Sequence, residues 1–268
     1  MADPAAAPAI RPGRGGGWLP AVVVLAWIPA VLLLDRGAGL PRQLLLGAGT
    51  WVLLLALLRL ETPVVRAQTA VVVAFATAVE YTFSPLLEVY LYRLHNVPSF
   101  VPPGHGLVYL AALSIGRSAL VRRHARAFVA GTVVLGGCYA AWGLFWSPRL
   151  DVLGAFWYLC LVGFLAWGRS RLLYVGAFVV VTYLEVLGTW AGVWTWAPYD
   201  PTGLVAIGNP PSVAAGGYGW FDLAAVLAAP GLVRLVARGR ARVRWRVGAA
   251  GRGPRAAPAP AGAAPRSS

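Results

Sequence analysis

The stretch Arg171–Val193, RLLYVGAFVVVTYLEVLGTWAGV, decides the fold. After its opening arginine the only charged side chain is Glu185. At about 1.5 Å of rise per residue, a helix of this length crosses a hydrocarbon core of about 30 Å. Working outward, apolar runs bounded by arginines recur at roughly 18–34, 43–60, 67–92, 103–121, 127–147, 152–168, 172–193 and 215–236. The pattern predicts an all-α, polytopic bundle of about eight transmembrane helices. Composition agrees: of 268 residues 59% are hydrophobic and 12% charged, and mean hydropathy is +0.68. An ordinary soluble domain carries about 25% charge and is excluded.

Basic residues in short loops mark the cytoplasmic side. Arg117, Arg122, Arg123 and Arg126 follow the fourth run, and further arginines follow the eighth. An even count then places both termini in the cytoplasm of a bacterial cell, with the chain multi-pass in its plasma membrane. The first apolar run ends at Asp35-Arg36 without a small-residue cleavage site, so it is expected to be a retained span. Residues 1–17 and 237–268 are expected to be largely disordered tails flanking the bundle at 18–236.

The formal charge of +14 is uneven, because nine of the 23 basic residues lie between Arg234 and Ser268. A basic juxtamembrane tail attracts anionic lipid head groups at about 1 kcal/mol per arginine. Membrane lipids are therefore the expected partners, and nucleic acid is not. Cys138 and Cys160 sit in apolar runs and read as packing residues. With no Walker, nucleophile-elbow or metalloprotease motif, no cofactor and no metal are expected.

A carboxylate at mid-membrane costs roughly 2.5–3.5 kcal/mol on insertion scales, so acids inside apolar runs are informative. Counted from the nearest cytoplasmic arginine, Glu80 and Glu185 lie at ~21 Å and Asp222 at ~18 Å, three acids at one depth. Either they form one site with a proton-handling role, or each ties helices together by hydrogen bonds. Glu80, Ser84 and Glu88 form a helical stripe on the third run, Thr182, Glu185 and Thr189 another, and Tyr218 lies one turn from Asp222.

In RLHNVPSFVPPGHG, Arg93–Gly106, the pair Pro102-Pro103 fits the first turn of the fourth helix. His95, Asn96 and His105 thereby fall at the outer membrane face. The segment Trp194–Ser212 is long for a connection and reads as a folded cap supplying Asn209. Asn96-Val-Pro98-Ser99 and Asn209-Pro-Pro211-Ser212 each separate an acid-bearing run from the next helix, the echo expected of a parallel four-plus-four repeat.

The VPPGHG segment and the late GNPPS segment resemble an uncharacterised family of bacterial polytopic membrane proteins. A second set of residues is similar to carotenoid-biosynthesis membrane proteins that hydrate terminal double bonds of long carotenoids. It comprises Glu80, Tyr90-x-Tyr92, Val97-Pro98, Trp194-x-Trp196, Gly208-Asn209-Pro210 and Gly219-Trp220-Phe221. The glycine-rich spacing expected around the acid is missing, so the resemblance does not carry an activity across.

One expectation is a membrane-embedded enzyme acting on a lipid or isoprenoid. Its catalytic groups would be Glu80, Glu185, Asp222 and His105, and its substrate-binding groups Glu88, His95, Asn96, Asn209 and Tyr218. The alternatives are a transporter of a small solute or lipid using the same acids, and a scaffold for an envelope complex.

Overall fold

The structure, a computed structural model, describes residues 17–250. It is mostly helical, with nine α-helices among the described residues. In chain order these are α1 (Leu19–Asp35), α2 (Leu40–Arg59), α3 (Pro63–Tyr81), α4 (Val101–Arg117), α5 (Ala119–Arg123), α6 (Ala125–Phe145), α7 (Val152–Trp167), α8 (Arg171–Trp190) and α9 (Ala215–Ala250). Proline occupies the first turn of α1 to α4, where its missing N–H leaves no intrahelical bond unmade. Thr62, Ser118 and Asp151 cap α3, α5 and α7 by accepting from backbone N–H groups.

Five helical stretches are long and apolar enough to cross a membrane: Leu40–Arg59, Pro63–Leu86, Ala125–Phe145, Arg171–Trp190 and Ala215–Gly239. Leu19–Asp35 and Val152–Trp167 are apolar and shorter. The outer faces of these helices are apolar, with Leu45 73% exposed, Val52 68% and Trp167 85%. Surfaces of this kind suit lipid rather than water.

Several expected boundaries are corrected. The third run does not stay helical to 92. α3 gives way to a five-residue π turn, Thr82–Leu86, containing Pro85, which cannot donate to the helical ladder. The chain then forms strand β1 (Tyr90–Tyr92). The seventh run likewise stops at Trp190, Gly192 takes φ +70°, and strand β2 (Trp194–Trp196) follows. The bundle is therefore not purely α. The fourth run is divided at Ser118 into α4 and α5, and α9 runs past position 236. Of the two expected disordered tails, residues 1–16 and 251–268 lie outside the described residues.

At the centre, α4 packs on α1, α2, α3 and α8, while α9 packs on α3, α7 and α8. α4 and α8 meet backbone to backbone. A Cβ on Gly116 would strike the Leu172 carbonyl, and one on Gly176 the Ala112 carbonyl. Thirteen of the seventeen α4 residues are buried.

The order α1–α2–α3–β1–α4 recurs as α6–α7–α8–β2–α9, with α5 between. Contacts recur with it. Gly47 of α2 lies against Ser99 and Gly154 of α7 against Ser212, while Gly106 of α4 faces Leu54 of α2 and Gly219 of α9 faces Phe164 of α7. β1 and β2 pair antiparallel, Tyr90 with Trp196, Leu91 with Thr195 and Tyr92 with Trp194. Two equivalent strands paired in this register are related by a local twofold passing between Leu91 and Thr195.

Candidate functional site

Glu80, at the last turn of α3, is buried and every partner it has comes from its own half of the chain. Its Oε2 accepts from the hydroxyls of Tyr90 at 2.9 Å and Tyr92 at 2.8 Å. Alternate residues of a strand point the same way, so Tyr90 and Tyr92 reach one carboxylate while Leu91 turns aside. Its Oε1 lies 2.8 Å from Nε2 of His105, in the first turns of α4. The two phenols occupy one oxygen, and the other oxygen is hydrogen-bonded to the imidazole. The Nδ1 of His105 is buried and has no partner among the described residues.

Glu185 of α8 occupies the equivalent place. Its Oε2 accepts from the indole N–H groups of Trp194 at 3.1 Å and Trp196 at 3.2 Å. Its Oε1 lies 3.5 Å from the Tyr218 hydroxyl. The Trp194 ring packs directly over Gly188, where a Cβ would overlap it. Tyr218 stands on α9 where His105 stands on α4, and the two rings stack across the local twofold with centroids 5.2 Å apart. The pair of acids is thus joined in series: Glu80, His105, Tyr218, Glu185.

Two apolar cavities meet at this chain of groups. The first, about 70 Å³, lies on the α1 side and is lined by Trp27, Ile28, Gly104, Val108, Leu184 and Trp194 among others. The second, about 270 Å³, is lined by Val79, Trp157, Trp196, Gly217 and Phe221, with Asp200 and Pro201 of the cap at its edge. Glu80, His105 and Tyr218 line both.

The cap is folded. Asp200 bonds to the Thr202 hydroxyl and to the amides of Thr202, Leu204 and Val205. The hydroxyl first, then these amides, hold its carboxyl below the usual carboxylate range. The Arg149 guanidinium donates to the carbonyls of Trp196, Ala197 and Ile207, clamping cap to strand. Asp151 accepts from the amides of Gly154, Gly208 and Ser212. In the first half, Arg93 does similar work on the carbonyls of Asp35 and Ala38.

Of the residues singled out in the sequence, Glu80, Glu185, His105 and Tyr218 come together. Glu88 does not, because the helical stripe ends at the π turn and Glu88 sits exposed at φ +51°. His95 is also exposed, at φ +54°. Asn96 donates to the Gln43 side chain, and Asn209 accepts from the Trp196 amide, so both brace loops and neither lines a cavity. Asp222 is buried one turn beyond Tyr218 and lines neither cavity. Thr189 bonds back to the Glu185 carbonyl.

Sequence reasoning missed the direct carboxylate contacts of Tyr90, Tyr92, Trp194 and Trp196, and the Arg149 clamp. The aromatic-x-aromatic spacing nine to twelve residues after each acid was the available signal. No protein-family model matches the chain, and comparisons with curated proteins and with solved structures return no significant match.

Proposed function

We propose that this chain is a membrane-embedded acid–base enzyme that acts on a lipid or isoprenoid substrate. The observation that carries the reading is the meeting of two apolar cavities at Glu80, His105 and Tyr218. Their walls suit a hydrocarbon chain, and one proton-sharing pair faces it from the middle. Glu80 and His105 supply the proton to a double bond of that chain, water adds to the resulting cation and returns one proton to the pair, and Tyr218 orients the reacting segment. Tyr90 and Tyr92 keep the Glu80 carboxylate in place, and Glu185 with its two indoles holds the Tyr218 hydroxyl. The residues that resemble carotenoid-biosynthesis proteins, Tyr-x-Tyr and Trp-x-Trp, are those that clamp the two acids, which favours an isoprenoid.

In this reading the five long apolar helices, together with α1, α4 and α7, make eight spans, with both termini cytoplasmic in a bacterial plasma membrane and the basic tail on anionic lipid. Arginine placement supports that arrangement.

Lipid and pigment profiles of a deletion strain, complemented with the wild type or with Glu80→Gln, test the proposal. The deletion should accumulate an unsaturated precursor, and Glu80→Gln should fail to clear it. An unchanged profile in the deletion, or full complementation by Glu80→Gln, overturns the enzymatic reading.

A further inference from the structure

The two cavities occupy equivalent places in the two halves. At the start of and along the helix after each strand, Val101, Gly104 and Val108 line the first cavity, and Ala214, Gly217 and Phe221 line the second. Each member of the second set lies 113 positions after its counterpart, the offset that also separates His105 from Tyr218 and Ser99 from Ser212. On the acid-bearing helices, Leu184 lines the first cavity next to Glu185, and Val79 lines the second next to Glu80. The cross-strand pair Tyr92–Trp194 supplies both of its rings to the first cavity, and Tyr90–Trp196 both of its rings to the second.

The arms differ in room. An apolar cavity of about 150 Å³ takes a benzene-sized molecule. The second arm, at about 270 Å³, therefore holds nearly two such units, and the first, at about 70 Å³, about half of one. The equivalent glycines also differ. A Cβ on Gly217 would overlap the Trp157 indole, so that position is already filled by packing. A Cβ on Gly104 would meet nothing within 4 Å.

We propose that the two cavities are unequal arms of one channel, occupied by a single linear hydrocarbon chain that crosses the local twofold beside Tyr218, and that Gly104 is a specificity-determining residue that sets how much of the chain the short arm accepts. This rests on the enzymatic reading above and adds to it how the substrate is held. Glycine at 104 is not demanded by backbone conformation or by a close neighbour. Its missing side chain leaves room in an arm that has little to spare.

Filling the short arm from either side tests this without an assay of turnover. Full-length protein is placed in phosphatidylcholine nanodiscs and titrated with the methyl ester of trans-parinaric acid, a linear conjugated tetraene. The readout is the saturable part of the energy transfer from tryptophan. Gly104→Leu and, independently, Leu184→Phe should weaken this binding about tenfold or more, since overpacking an arm of this size excludes the chain. Gly104→Ala should weaken it less, and Val79→Phe in the long arm should change it about threefold or less. Melting temperatures of the variants establish that the fold is kept. Unchanged binding by folded Gly104→Leu and Leu184→Phe overturns the channel alone. Absence of saturable transfer in the unaltered protein overturns the channel and the hydrocarbon-substrate reading together.

Discussion

In the first half of the molecule a glutamate is held by two phenols and an imidazole; in the second, an equivalently placed glutamate is held by two indoles and a phenol. The helices, the strands and the glycine contacts that deliver these groups are the same in kind. Around the two acids, the difference lies in what each partner can do with a proton. An imidazole can both give and take a proton, a role for which the phenol in its place is far less suited. Repetition of a scaffold therefore need not repeat its chemistry: one acid faces an imidazole, and the other faces a phenol.

The largest effect should come from exchanging each acid for its amide. Glu80→Gln should lower conversion of the accumulated precursor by about 10²–10⁴-fold, the range of a positioned acid–base group, and Glu185→Gln by no more than about tenfold. Quantifying precursor and product in complemented strains measures both. Equal losses would erase the distinction between the halves.

The paired glycines sharpen the comparison at the level of packing. Gly217→Ala must displace the Trp157 ring and should cost about 1–3 kcal/mol, whereas Gly104→Ala should be neutral or gain up to about 1 kcal/mol from helix propensity. Thermal unfolding in detergent separates them, and similar melting temperatures would contradict the unequal filling of the arms.

A smaller contrast lies in the clamps. Tyr92→Phe removes one donor from Glu80 and should cost about 0.5–1.5 kcal/mol. Trp194→Phe removes a donor from Glu185 and also the ring area that covers Gly188, so its cost should be larger by about 1 kcal/mol. If the two variants melt alike, the indoles serve only as donors.

The smallest effect concerns the cap, where the second half departs from the first. Because the Asp200 carboxyl titrates below its ordinary range, it adds stability to the 200–205 turn above the unfolded carboxylate value, and that contribution is lost as pH falls through the folded one. Amide exchange at Leu204 and Val205 should quicken on acidification and in Asp200→Asn. Protection unaffected by that substitution would show that the cap is held without Asp200.

The helical, membrane-suited character was legible because arginines punctuate runs of low charge, and burial cost made Glu80 and Glu185 conspicuous. The strands were not legible. Three residues following an apolar helix carry too little change of period to be told from it, and Tyr90–Tyr92 read as helix end and Trp194–Trp196 as the start of the cap. Glu88 was misplaced for the same reason, since Pro85 in a π turn ended the stripe that spacing extended. Counting along the helices put Asp222 level with the other acids, but such a count says nothing of azimuth, and its side chain is buried away from both cavities. Tyr218, one turn away, was placed by the same stripe and does reach the site.

The burial of α4 bears on biogenesis. The helix carries His105, Ser114, four glycines or prolines before Leu107, and Arg117, and it touches lipid along little of its length. Its apolar partner α8 leaves the ribosome only after α5, α6 and α7. Until then the Gly116 and Gly176 backbones have nothing to meet, and α4 is covered only by α1, α2 and α3. Membrane integration of the first half alone should accordingly be inefficient.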